Sequence, residues 1–163
     1  MAVTTETSTQ RSNPIASPPV MNPAYEDHGR LRVKAFTFTQ GAAAGDATST
    51  QGLVKLPPGK GRVYLGLSLL ENSAFGASRT LDVGYAAHTQ TDGTAVAADP
   101  NAFDNAIDVS SLASAALGSD VAAASGKMWE FDSKAGIDIG AVVAGGTIPA
   151  GATLTGYIVY SQD

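Results

Sequence analysis

The chain of 163 residues fits one domain and carries a formal net charge of -5 at pH 7. Charged residues make up only 15% of the chain and 18 residues are Gly, so we expect a surface of small, weakly charged side chains that suits packing against other subunits. The absence of Cys excludes disulfide bonds, thiolate metal sites and a Cys nucleophile.

Residues 1–29 are expected to form an extended N-terminal arm, followed by one domain over residues 30–163. The arm contains four of the eight prolines, and each residue before a proline is pushed toward an extended conformation. At roughly 3.3 Å per residue, an arm of this length could span tens of Å. Its apolar anchor residues are Ile15, Val20, Met21 and Tyr25.

Alternating apolar and polar residues predict a first strand over residues 31–38. Its apolar face is odd-numbered up to Ala35 and even-numbered from Phe36, which indicates a bulge near Ala35 or a strand buried on both faces. A loop rich in Gly, Ala, Ser and Thr then leads to a short strand over residues 53–56.

The clearest alternation covers residues 62–69, after a turn that contains Pro57, Pro58 and Gly59. A further strand is predicted over residues 80–85. We expect these two strands to form an antiparallel pair.

The next segment changes from the strand pattern to a helical one. Asp99 followed by Pro100 is typical of an N-cap with proline at the first helical position, and the apolar residues that follow share one stripe. This predicts a short helix over 99–107, and a similar stripe over 108–117 favours a second one.

Alternation resumes in three segments near the C-terminus, over residues 128–131, 137–143 and 153–161. With the earlier segments they give about seven or eight antiparallel strands separated by turn residues. We therefore predict an all-β domain, a β-sandwich or jelly roll with one or two short helices.

The charge is unevenly divided along the sequence. Residues 30–79 contain seven cations and two acids, a net +5, whereas residues 80–163 contain two cations and ten acids, a net -8. This division predicts either a basic surface that docks on an acidic partner or basic side chains that only cover solvated strand faces. Nucleic acid is not an expected partner, because the chain pI is near 4.8.

No pattern of catalytic, cofactor-binding or metal-ligating residues is found. There is no G-x-S-x-G nucleophile elbow, and the turn before Arg62 lacks the spacing of a phosphate loop. Asp99 is better explained as a helix cap than as a calcium ligand, and Trp129 as a core residue than as a sugar platform. Because these motifs are missing, we expect no enzymatic activity and no cofactor. No apolar run is long enough to cross a bilayer, so we also expect no membrane partner.

Three phrases follow the Pro-rich arm: GLVKLP over 52–57 with RVYL over 62–65, DVSS over 108–111, and the ending from Gly146 to Tyr157. Together they resemble small virion structural proteins of tailed bacteriophages, most closely head decoration, or cement, proteins. The resemblance implies a non-enzymatic β-sandwich, commonly a homotrimer, on the outer capsid surface, where it stabilises the junctions between capsomers. The implied partners are the major capsid protein and other copies of this chain.

In this interpretation the arm and the basic residues after it contact the capsid. Apolar arm contacts would supply affinity that salt does not weaken, and the basic side chains would supply orientation and a salt-sensitive part. The predicted capsid-contact residues are Ile15, Val20, Met21, Tyr25, Arg30, Arg32, Lys34, Lys60 and Arg62.

Two other interpretations fit the same sequence. A carbohydrate-binding β-sandwich on a phage tail or cell surface would need exposed aromatic residues, for which Tyr64, Tyr85 and Tyr157 are the candidates. A tail-tube or connector subunit would use the arm to cross between stacked rings.

Overall fold

The computed structural model describes residues 17–18, 30–42, 44–46, 49–121 and 126–162. Over these ranges the chain forms β-strands and one 3₁₀ turn at Leu65–Leu67, and none of the described helical residues forms a segment long and apolar enough to cross a membrane. The strands are β1 (Arg32–Thr39), β2 (Thr50–Leu56), β3 (Gly59–Tyr64), β4 (Leu69–Asn72), β5 (Thr80–Tyr85), β6 (His88–Thr89), β7 (Ala95–Val96), β8 (Asp99–Asp108), β9 (Ala113–Ala116), β10 (Met128–Ser133), β11 (Ile137–Ala144) and β12 (Thr153–Gln162).

Ten of these strands form two antiparallel sheets, which confirms the predicted all-β class. In the six-stranded sheet, β12 pairs with β1 along one edge and with β3 and β4 along the other, while β10 and β9 extend β3 and β4. The four-stranded sheet has the order β2-β11-β5-β8, and β6 pairs only with β7. The two main sheets contain more strands than the sequence pattern predicts, because several are short.

The core lies between the two sheets and follows the period-2 alternation of the strands. In β11 the odd-numbered residues from Ile137 to Val143 are buried, and in β12 Leu154, Ile158 and Tyr160 are buried. Gly156 interrupts the buried face of β12 because a Cβ there would lie 2.1 Å from the carbonyl oxygen of Leu69.

The two helices predicted between residues 99 and 117 are wrong, since these residues form β8 and β9. Strand β8 is bulged: two steps along β5, from Leu81 to Val83, match three steps along β8, from Ile107 to Asp104. Residues four apart share one face of a strand as well as one face of a helix, so Phe103 and Ile107 both pack against the core. The apolar stripe is therefore compatible with a strand.

The predicted pairing of strand 62–69 with strand 80–85 is also wrong. The 3₁₀ turn at Leu65–Leu67 breaks the first segment into β3 and β4, which both pair with β12, whereas β5 lies in the other sheet. The hydroxyl of Ser68 accepts a hydrogen bond from the Val159 amide at 3.0 Å and donates to the Tyr64 carbonyl at 2.9 Å. Ser68 thus bridges the gap in the ladder between β3 and β4.

Strand β1 keeps one register along its whole length and has neither a bulge nor two buried faces. Each residue from Arg32 to Thr39 pairs in order with one residue of β12. Phe36 is buried, whereas Leu31 and Val33 are 57% and 62% exposed. The apparent change of phase arises because the odd-numbered apolar residues face outward and the two Phe residues face the core.

A buried carboxylate fixes the loop that follows β9. Asp104 is 1% exposed, and its two carboxylate oxygens accept hydrogen bonds from the Gly118 amide at 2.6 Å and the Ser119 amide at 2.7 Å. Two charge-assisted bonds offset the cost of burying the charge.

We predict that Asp104→Ala lowers the free energy of unfolding by about 1–3 kcal/mol, because it leaves two amides of the loop without their acceptor. The measurement is urea unfolding of the full chain. Asp92→Ala is the matched control, because the Asp92 carboxylate accepts a bond from the Thr94 amide in a fully exposed turn. An equal loss in the two variants would contradict the structural role of Asp104.

Candidate functional site

The outer surface of the six-stranded sheet carries a row of apolar residues that crosses four strands. Ala35 of β1 lies opposite Tyr157 of β12, Tyr157 lies opposite Leu69 of β4, and Leu69 lies opposite Ala116 of β9. Val33, one row away, is 62% exposed, and Tyr157 is 37% exposed. We call these five residues the apolar face: Val33, Ala35, Leu69, Ala116 and Tyr157.

The apolar face carries no charged side chain of its own, and Glu71 in the adjacent row of β4 is the nearest acid on these paired strands. Leu31 extends the face beyond the start of β1 and is 57% exposed. A contiguous apolar patch of this kind on a small domain is typical of a protein interaction surface. The odd-numbered alternation of residues 31–35 carried this signal, but sequence reasoning assigned that side to the core.

The predicted basic contact residues separate into two groups. Arg30 and Arg32 are exposed at the start of β1, where Arg32 donates a hydrogen bond to the side-chain oxygen of Gln162 at 3.2 Å. Lys34 is half-buried and donates to the carbonyl of Lys55 on β2, so this group lies at the rim between the two sheets.

The second group is engaged by acids of the C-terminal half. The Lys60 ammonium lies 3.5 Å from the Asp132 carboxylate, and Arg62 pairs with Glu130 with only 10% of its side chain exposed. Strand β3 is paired with β10, so the basic and acidic segments of the sequence lie side by side and their charges partly cancel. Arg62 therefore offers little surface to a partner.

The predicted anchor residues Ile15, Val20, Met21 and Tyr25 lie outside the described residues.

The aromatic residues form a cluster at one end of the core. The rings of Tyr85 and Trp129 stack with their centroids 4.7 Å apart, and Phe103 meets Trp129 edge-on at 5.1 Å. Trp129 packs against the core, as the sequence predicts. The Tyr64 hydroxyl lies 3.3 Å from the Ser161 hydroxyl, and both Tyr64 and Tyr85 are half-buried. Of the three tyrosines considered for sugar stacking, only Tyr157 is exposed.

A groove of about 350 Å³ lies on the outer side of the four-stranded sheet. Its floor is a row of three glycines on adjacent strands, because Gly140 of β11 lies directly opposite both Gly52 of β2 and Gly84 of β5. Thr50 and Val142 line one side, in the next row of the same strands. The glycines thus remove side chains from the middle of the sheet and leave its backbone accessible from outside.

The two ends of the groove differ. At Gly84 a Cβ would lie 2.0 Å from the carbonyl oxygen of Asp99, so the backbone of β8 closes that end. At Gly52, on the edge strand, a Cβ would meet no atom within 4 Å. Tyr85 borders the groove, but its ring stacks on Trp129 against the core, and burial together with the Asp99 carboxylate raises the pKa of its phenol.

The described residues hold no group of three His, Cys, Asp or Glu side chains arranged to bind a metal ion. The surfaces described above are an apolar face on one sheet and a groove with a glycine floor on the other. Both suit contact with another polypeptide.

Comparison with known proteins places the fold among chains of phage capsids. A chain of the "Capsid of Ralstonia phage GP4" superposes with a TM-score of 0.57 and 20% identity, covering 88% of this chain and 91% of that one. A chain of the "Cyanophage Pam1 capsid asymmetric unit" gives a TM-score of 0.52 and 14% identity over 88% and 93% of the two chains. No protein-family model and no curated protein sequence matches the chain. These likenesses show a shared fold.

Proposed function

We propose that this protein is a non-enzymatic virion structural protein that decorates a bacteriophage head. The observation that carries the proposal is that the fold is shared over nearly the whole length of two chains from phage capsids. Because each alignment covers about nine-tenths of both partners, those chains are of similar size to this one. A small all-β chain in a capsid suits an accessory subunit that binds a shell built by another protein.

The apolar face is the surface that we assign to the capsid. Burying Val33 and Tyr157 would remove from water the two most exposed large side chains of this face, each at a gain of order 1 kcal/mol for partial burial. Such a contact is weak for one copy. Many copies arranged by symmetry, or a homotrimer that presents three such faces, would give high avidity from the same contact.

The basic rim, by which we mean Arg30, Arg32 and Lys34, supplies the second part of the proposed contact. Arg30 and Arg32 lie at the start of β1, next to Val33, so one acidic capsid surface could meet both the rim and the apolar face. Exposed ion pairs contribute less than about 1 kcal/mol each and are screened by salt. The rim would therefore orient the subunit at the junction between capsomers, and the apolar face would hold it there.

We predict that Val33→Asp lowers occupancy on capsids depleted of the protein by about tenfold or more, because it places a carboxylate in the buried part of the contact. The measurement is rebinding of the full chain, followed by quantification of the bound protein. Ala144→Asp is the matched control, since Ala144 is exposed near the end of β11 on the other sheet, and we expect it to bind normally.

The mass of each variant in solution, measured by light scattering, separates two roles of the apolar face. We expect the unmodified chain and both variants to form the same homo-oligomer, a trimer. If Val33→Asp alone dissociated the oligomer, the face would be a subunit interface and its assignment to the capsid would be wrong.

Replacing Arg30, Arg32 and Lys34 together with Gln is expected to make rebinding less sensitive to salt while affinity at high salt changes little, because exposed charges act over the Debye length. Lys60 and Arg62 are retained in this variant, because they pair with Asp132 and Glu130. Occupancy measured at low and high salt, with thermal unfolding as the folding control, provides the comparison. An unchanged salt dependence would eliminate the basic rim from the contact.

A further inference from the structure

Gly52 lies at a bulge of β2, where the register with β11 shifts by one residue between Ile139 and Gly140. Its position on β2 is extended, a Cβ there would meet nothing within 4 Å, and it faces the open end of the groove. Gly84 and Gly140, by contrast, lie against the backbone of Asp99 and of Gln51. The bulge accounts for the irregular pairing, and the open space above Gly52 leaves room for another backbone to approach the sheet there.

We propose that the groove binds the segment Val20–Pro23 of the N-terminal arm of the same chain. The proposal goes beyond the decoration role and does not depend on it.

The chemistry of this segment fits the groove. Its sequence VMNP contains two large apolar side chains and one proline, and it is preceded by two prolines that favour the polyproline conformation. The groove is lined mainly by apolar atoms, among them those of Ala98, Pro100 and Val142, which suits contact with the apolar side chains of this segment. The glycine floor would let the backbone of the segment approach that of the sheet.

The dimensions also agree. From β2 to β5 the floor crosses three strands about 4.8 Å apart, a distance of roughly 10 Å. Four residues in a polyproline conformation, at roughly 3.1 Å each, cover about 12 Å. The segment is therefore long enough to cross the floor from Gly52 toward the closed end at Gly84.

Arg30, where the arm joins the domain, lies within reach of the open end of the groove. Lys34 of β1 contacts the Lys55 carbonyl, and Lys55 is three residues from Gly52 along β2, about 10 Å. The distance from Arg30 to Gly52 is therefore at most roughly 30 Å, the length of a path along β1 to Lys34 and then along β2. The nine residues between Arg30 and Met21 span about 30 Å when extended, so the arm reaches its own groove.

Because the segment is tethered, a weak contact is enough. A short flexible tether gives an effective concentration in the mM range, so an intrinsic dissociation constant near 1 mM would already occupy about half of the molecules. The arm of a second copy would first have to compete with this tethered segment. This favours the chain's own arm over an exchanged one.

The absence of Cys permits a direct test in the full-length chain. Met21→Cys is combined with Thr50→Cys at the side of the groove, and in a control with Ser114→Cys, which is exposed on the six-stranded sheet. A short bismaleimide is then added and cross-linked products are separated by mass. We expect an intramolecular cross-link at least about tenfold more abundant in the first pair than in the second.

A third variant blocks the groove. Gly52→Leu places a side chain in open space on the groove floor, so the domain should remain folded, as judged by thermal unfolding. Added to the Met21→Cys and Thr50→Cys pair, it is expected to lower the yield of the cross-link by about tenfold, equivalent to about 1.4 kcal/mol of lost binding.

Three results would overturn the proposal. Equal yields with Thr50→Cys and Ser114→Cys would show that the arm does not prefer the groove. A covalent dimer as the main product would show that the occupant is the arm of a second copy. A yield unaffected by Gly52→Leu in a folded protein would show that the arm passes Thr50 without entering the groove.

Discussion

The ten-residue strand β12 is the element on which the rest of the fold depends. One edge of it pairs with all of β1, and the other edge pairs first with β4 and then with β3. Its inner side supplies Leu154, Ile158 and Tyr160 to the core, and its outer side carries Tyr157. The same strand therefore holds the six-stranded sheet together and positions the middle of the apolar face.

Much of the fold could be predicted from the sequence because alternation is a direct consequence of strand geometry. The strands around residues 32–39, 80–85, 137–144 and 153–162 follow from it. What the sequence could not show is which strands pair. The segment 62–69 has continuous alternation, yet a 3₁₀ turn divides it. The Ser68 hydroxyl at this division accepts a hydrogen bond from Val159 of β12, far along the chain.

The errors at the functional surfaces have related causes. The spacing of Phe103 and Ile107 indicates a helix, but residues four apart also share one face of a strand. Leu31 and Val33 belong by hydrophobicity to a core, and only their exposure shows that they belong to a surface. The charge division along the chain is reduced in space because pairing is antiparallel between distant strands, which places Lys60 beside Asp132. Hydrophobicity identifies a face, and tertiary pairing decides whether it is covered.

The central claim is that the protein binds the outside of a phage head with its six-stranded sheet turned toward the shell. The most direct measurement is a cryo-electron microscopy reconstruction of heads saturated with the full-length protein, compared with heads that lack it. The account predicts extra density on the outer surface at the junctions between capsomers, with Val33 and Tyr157 within contact distance of the shell. Density on the tail, or subunits on the head with the apolar face directed toward solvent, would contradict it.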